Sequence, residues 1–285
     1  MAYAINDAGQ ITGDIVLNRI RYCFLYTPPG TTSGILFTST PVSTQGCDAR
    51  AINSTGWVTG SMYMPNTRFR NAFLRSPSNG QISNYPSIYN TGGAPPSNSF
   101  GWGVDDSENV VGEMDQSDPN EPAYQGQAAY SWNSSGTPIA NSYYTQELAT
   151  SRSGVYVALP DAGFGGSSQA SLGLPNGPFL NAYCGYWDVI GGNVAAFSMP
   201  YAASNQGHAA GSSFCNENDD FNWHATFWGA QGVVDLGFAP STAYTLSNDD
   251  WVVGNSTAVV GRRWRCFSPS IGSPLSDDDQ PQLAP

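Results

Sequence analysis

An eleven-residue pattern returns six times along the chain, and that recurrence constrains the fold more than any other feature. The copies begin at Tyr3, Arg50, Trp102, Leu148, Tyr201 and Tyr244. They read YAINDAGQITG, RAINSTGWVTG, WGVDDSENVVG, LATSRSGVYVA, YAASNQGHAAG and YTLSNDDWVVG. Successive starts lie 47, 52, 46, 53 and 43 residues apart, and a period of about 40 to 50 residues points to propeller blades or helical arrays. The residues choose between these. The fourth position holds Asn6, Asn53, Asp105, Ser151, Ser204 or Ser247, short polar side chains that bond nearby backbone and open a turn. Three residues later Gly9, Gly56, Gly154 and Gly207 suit the left-handed conformation that closes a hairpin with a bulge; Glu108 and Asp250 depart from that pattern. The flanking runs, rich in β-branched and aromatic residues in most copies, read as strands.

A second motif follows each copy: RYCFLY from Arg21, NAFLR from Asn71, QAAYSW from Gln127, NAYCGYW from Asn181, HATFW from His224 and RCF from Arg265. These supply a third strand. Residues 34–38, 80–84, 138–142, 193–198, 232–236 and 270–275 supply a fourth. Four strands in each of six repeats predict an all-β fold, a six-bladed β-propeller with four-stranded antiparallel blades. It spans residues 1–275 as a single domain, and residues 276–285, SDDDQPQLAP, form a disordered tail.

The motifs HATFW, NAFLR and VVDLG resemble the second half of the HAF repeat of bacterial extracellular proteins, in which a His-Ala-Phe triplet follows an Ala-x-x-Ile-Asn-x-x-Gly-x-Val-x-Gly run. The resemblance covers nearly the whole chain. It departs in the fourth repeat, where Ala158 replaces the last glycine and the two motifs are widely separated. It implies an exported β-repeat protein without a fixed reaction or catalytic residues.

A net charge of -12, with only 11% charged residues, argues against nucleic acid or an anionic membrane as partner, since both need clustered positive charge. All ten basic residues are arginine. No apolar run reaches the roughly 18 residues of a membrane span. Met1 leads directly into the first repeat, so the expectation is a mature exported form behind an added start codon. Asn53, Asn133 and Asn255 head glycosylation-type triplets. The five cysteines, Cys23, Cys47, Cys184, Cys215 and Cys266, lack paired-ligand spacing. Cys23 with Cys47 and Cys184 with Cys215 are the preferred pairings, against buried reduced thiols as the alternative.

Propellers bind ligands on the face that carries the loops between strands two and three. Seven arginines fall there: Arg19 and Arg21, Arg68 and Arg70, and Arg262, Arg263 and Arg265. Glu113, Asp115, Asp118 and Glu121 in repeat three, and Glu217, Asp219 and Asp220 in repeat five, are expected to make the other half of the face acidic. Glu217, Asp219 and Asp220 lie in NENDDFN, a set of hard oxygen ligands that calcium could use without matching an EF-hand; a plain acidic turn is the alternative. Tyr3, Trp102, Tyr201 and Tyr244 at position one could stack on sugar rings at the channel mouth. Positions one and three point the same way in a regular strand, and Ile5, Ile52, Val104 and Leu246 at position three favour inter-blade core instead. Residues 159–178 read as a long Gly-rich loop covering the face.

These features predict an exported protein that binds carbohydrate or an extracellular protein partner through its loop face. The alternatives are a polysaccharide lyase or hydrolase using His208 and Tyr201 at the channel mouth, and a structural protein of a surface or filament assembly.

Overall fold

The fourth position of every repeat opens the same hairpin. The N–H of Asn6, Asn53, Asp105, Ser151, Ser204 and Ser247 each donates to the carbonyl four residues on, and its carbonyl accepts from the N–H three residues on. The residue that makes this second bond has positive φ in all six: Gly9, Gly56, Gly154 and Gly207, but also Glu108 (66°) and Asp250 (59°). The turn is therefore dictated by its hydrogen bonds, and two repeats adopt it without the residue that tolerates it best. Successive turns also bond to each other. Asn6 Nδ2 donates to the Asn53 carbonyl at 2.9 Å and Asn53 Nδ2 to the Asp105 carbonyl at 2.9 Å, while the Asn205 N–H donates to Asn248 Oδ1 at 2.9 Å.

The computed structural model describes residues 1–28, 35–37, 46–64, 69–86, 98–117, 125–141, 144–151, 153–160, 170–172, 179–180, 189–190, 193–194, 196–217, 220–230, 232–236, 240–256 and 262–265. These residues are strands and turns, and none forms a helix long and apolar enough to cross a membrane. Sheet one holds β1 (Ala2–Ile5), β2 (Ile11–Leu17), β3 (Ile20–Tyr26) and β4 (Ile35–Phe37); sheet two, β5 (Cys47–Ile52), β6 (Val58–Tyr63), β7 (Arg70–Arg75) and β8 (Ile82–Tyr85). Sheet three holds β9 (Ser99–Val104), β10 (Val110–Ser117), β11 (Gln125–Trp132) and β12 (Pro138–Asn141). Sheet four holds β13 (Tyr144–Thr150), β14 (Tyr156–Pro160), β15 (Ala170–Leu172) and β16 (Phe179–Leu180). After a short hairpin, β17 (Val189–Ile190) with β18 (Asn193–Val194), sheet five holds β19 (Ala196–Ala203), β20 (Ala209–Glu217), β21 (Asp220–Gly229) and β22 (Gly232–Asp235). Sheet six has β23 (Ser241–Leu246), β24 (Trp251–Ser256) and β25 (Arg262–Arg265) among the described residues; its expected fourth strand and the tail lie outside them. Each sheet is an antiparallel meander in chain order.

Sheet four differs from the expectation. Its third strand, β15, falls inside the stretch read as a long loop and its fourth, β16, directly after it, while residues 193–198 divide between β18 and β19. A strand needs only two or three residues with ladder partners, and Ala-Ser-Leu has no motif that marks it.

Every first strand carries a bulge, and the extra residue is position one of the repeat: Tyr3, Arg50, Trp102, Leu148, Tyr201 and Tyr244. Alternation restarts there, so positions one and three lie on opposite faces of the sheet rather than the same one. The bulge also drives the first strand against the glycine at position eleven. A Cβ on Gly13, Gly60, Gly112 or Gly211 would stand 1.9, 1.9, 1.8 or 2.2 Å from a backbone carbonyl oxygen in the first strand or, for Gly13, from that of Met1 just before it. The glycine recurs because two backbones meet there.

Apolar clusters fill the seams between consecutive sheets. Cys23 and Leu25 pack with Cys47, Ala49, Val58 and Met62 between sheets one and two, and Ala72, Leu74 and Tyr85 with Val104, Val110 and Met114 between sheets two and three. The residue three before position one stitches the seam in repeats two, three, five and six. Ser99 Oγ accepts from the Ala72 N–H at 2.9 Å and donates to the Tyr85 carbonyl, Ser241 Oγ accepts from the Ala225 N–H at 2.8 Å, and Ser198 Oγ donates to the Leu180 carbonyl. In repeat two the same position is Cys47, disulfide-bonded to Cys23 with Cα atoms 5.5 Å apart. Sheet one is first in chain order. Ile5 and Ile15, equivalent to Ile52 and Met62, are 66% and 40% exposed, whereas Met62 is fully buried.

Candidate functional site

The bulges turn the position-one side chains toward their neighbours in adjacent sheets. The Arg50 guanidinium lies between two rings, 4.5 Å from the Tyr3 centroid and 5.3 Å from that of Trp102. Tyr201 and Tyr244 stand 6.2 Å apart. A row of aromatic and cationic groups thus runs along the line where first strands meet, with Leu148 between its halves in sequence. Arg50 has no ion-pair partner among the described residues, and its Nε and the Trp102 Nε1 are buried without an acceptor.

Beside this row is an ion network. Asp48 is 3% exposed and receives Arg21 and Arg70, each at 2.7 Å, while Asp14 receives Arg21 Nε at 3.3 Å. The hydrogen bond to Asp48, then its charge, raises the Arg21 pKa further. Arg70 also lies 4.4 Å over the Tyr63 ring. Burial, followed by a hydrogen bond to Asp14, pushes the Tyr3 phenol above its ordinary value. The structure brings Arg21 and Arg70 together on buried acids. Arg19 stands exposed in the β2–β3 turn, Arg68 lies outside the described residues, and Arg262 and Arg263 open β25 in register with Gly254 and Val253. Asp14, Asp48 and the stacked role of Arg50 escaped the sequence reading. The available signal was their place: Asp48 stands two residues before a bulge, and Asp14 just after a close-approach glycine.

A recess of about 390 Å³ opens between sheets five and six, lined by Tyr201, Ser212, Trp223, Pro240, Ser241, Thr242, Tyr244 and Asn255. It faces the loop end of the strands, because Pro240 and Thr242 begin β23 and Asn255 nears the end of β24. None of these lining residues is charged. Ser212 is 1% exposed and its Oγ has no hydrogen-bond partner among the described residues. The Tyr201 hydroxyl donates to Met199 Sδ at 2.8 Å, a weak acceptor. Burial, and then the neighbouring Tyr244, raise the Tyr201 pKa, so the phenol remains a donor at neutral pH.

Among the described residues no hydrogen bond or ring contact joins His208 to Tyr201. His208 follows the turn between β19 and β20, 8% exposed, with Nδ1 2.8 Å from Asp250 Oδ1 and its ring edge-on to Phe227. His224 pairs with Asp235 through Nδ1 at 3.0 Å. Glu217 and Asp220 are partners at the tip of β20 and β21, and Asp219 lies outside the described residues. Where an acidic loop was expected, Glu217 and Asp220 thus close the ladder of two long strands. Among the described residues no three His, Cys, Asp or Glu side chains converge on a metal-sized site.

The sheets and their stacking define a propeller-like all-β fold. The chain is similar to TolB from Acinetobacter baumannii, seen in a crystal structure, with a TM-score of 0.50 and 13% sequence identity; the match covers 87% of this chain and 61% of that one. The chain therefore spans less than two thirds of that structure, and the likeness concerns the fold alone. No family model and no curated protein matches the sequence.

Proposed function

We propose that the chain is an exported six-bladed propeller of HAF-repeat type that recognises an extracellular glycan at the channel line of its loop face. The observation that carries this reading is the row Tyr3, Arg50, Trp102, Tyr201 and Tyr244, presented by a bulge in every first strand. Aromatic faces stack on the apolar faces of sugar rings while polar edges bond hydroxyls, and repetition along a groove suits a polymer. In the ring we propose, sheet six closes on the open face of sheet one and covers Ile5 and Ile15. His208 is buried with its Nδ1 held by Asp250, so hydrolysis or elimination at that histidine is the weaker reading.

The test is retention of the protein on a panel of neutral and acidic polysaccharides, with calcium and with chelator, while released oligosaccharide is measured. Retention without product is expected, with affinity falling about tenfold or more in Arg50→Gln on acidic polymers. A chelator effect would implicate calcium near Glu217 and Asp220. Product release, or no retention on any polymer, would overturn the proposal.

A further inference from the structure

Sheets one and two hold a cation that no acid neutralises. Arg21 and Arg70 both end on Asp48 at 2.7 Å, and Arg21 also reaches Asp14 at 3.3 Å. Those two cations and two carboxylates balance. Arg50 lies two residues beyond Asp48 in β5, and it makes no ion pair and no hydrogen bond among the described residues. It stands near both acids, since Arg50, Asp14 and Asp48 all act on the Tyr3 phenol through their charges. The place therefore carries one surplus positive charge, in a chain whose net charge is -12.

An unpaired guanidinium on a surface is ordinarily solvated and free to move, whereas this one is half-buried and held. Its central carbon lies 4.5 Å from the Tyr3 ring centroid and 5.3 Å from that of Trp102, and Trp102 is braced in turn by Phe100, stacked at 6.0 Å. Contacts of a cation with ring faces fix the group without using its N–H donors. Nε is closed off from water, so no ligand reaches it. Nη1 and Nη2 are likewise unbonded among the described residues but are not closed off, and together they form the terminal edge of the fork. A fork held in place loses little freedom on binding, and two parallel N–H donors match the two oxygens of a carboxylate.

We infer that Arg50 is an oxyanion subsite that takes one carboxylate end-on across Nη1 and Nη2, and that this carboxylate belongs to a hexuronate unit of the polymer. One negative charge cancels the one surplus positive charge. A dianionic phosphate ester would bring a second negative charge beside Asp14 and Asp48 that nothing there neutralises. A sulfate half-ester has a third anionic oxygen for which the terminal edge holds no further donor. At this end of the row the rings hold the cation and the cation holds the ligand. This inference rests on the glycan reading and gives it a sugar class and a place.

The experiment titrates the full chain calorimetrically with hexuronate oligomers of the gluco, galacto and manno series, with their methyl esters, and with sulfated neutral oligomers of the same length. At least one free-acid oligomer is expected to bind saturably, about tenfold or more tighter than its ester and tighter than the sulfated oligomer. Arg50→Gln should bring the ratio of acid to ester affinity down to about one. Arg50→Lys keeps the charge without the fork and should bind the acid about fivefold more weakly than the native chain. Both variants should unfold in urea at midpoints near the native one, because no ion pair or hydrogen bond is lost. The subsite is overturned if acid and ester of every series bind alike, if the sulfated oligomer binds more tightly than every uronate, or if Arg50→Gln keeps the native preference for acid. If neutral polysaccharides retain the protein while no uronate is preferred over its ester, the glycan reading stands and the carboxylate subsite falls; if nothing binds, both fall.

Discussion

Tyr85 buries its ring against Trp132, centroids 5.9 Å apart, and its hydroxyl finds no hydrogen-bond partner among the described residues. Burial, with a smaller contribution from Glu108, pushes its pKa up to about 12. An unfolded tyrosine loses its proton near pH 10, so above that pH the native chain holds a proton the unfolded chain has released. Stability therefore falls as pH rises from 10 through 12, and Tyr85 contributes nothing to pH dependence below that window. Tyr85→Phe should remove this decline and gain up to about 1 kcal/mol at neutral pH; urea unfolding of both proteins at pH 7 and pH 11 measures the difference. Gly60 makes the opposite prediction. A methyl group there would meet the Asp48 carbonyl oxygen at 1.9 Å, so Gly60→Ala should cost about 3 kcal/mol or more in the same assay. The recurrence of this glycine was visible in the sequence, but its reason was not. Nor was the pairing of Arg21 and Arg70 on Asp48, because a chain read one residue at a time does not show which loop charges meet a buried acid.

The hairpin between the first and second strands was the most legible element, since Asn, Asp or Ser followed by Gly names its turn chemistry directly. Glu108 shows where that legibility ends: the turn persists at a φ of 66° without glycine. Glu108→Gly is expected to stabilise the protein by about 1 kcal/mol, checked by thermal unfolding. The bulge was not legible, because one inserted residue shifts the period of two and makes a correct alternation argument assign the wrong face. The seam position was hidden differently, behind two residue types. Cys47 bonds covalently where Ser99 and Ser241 use hydrogen bonds. Cys23→Ala with Cys47→Ser should thus rebuild a serine seam. It should be more stable than Cys23→Ala with Cys47→Ala by about 1 kcal/mol, measured by chemical unfolding under matched conditions.

For the molecule as a whole, repeat number and spacing pointed to stacked four-stranded sheets, and the TolB likeness supports a propeller-like fold. The irregular fourth repeat stayed obscure because β15 and β16 are short and carry no motif. Closure has a direct test at this scale. If sheet six seals sheet one, changing Ile5 and Ile15 together to serine should cost about 3 kcal/mol or more, whereas an open end would leave stability nearly unchanged; equilibrium unfolding decides. The bulge has a further consequence. Its residue belongs to no ladder pair, so its identity is released from the demands of strand registration. Tyr, Arg, Trp, Leu, Tyr and Tyr are in that sense six interchangeable letters set in a fixed frame. New specificities can be written by substituting one letter per repeat without shifting the ladder of any sheet.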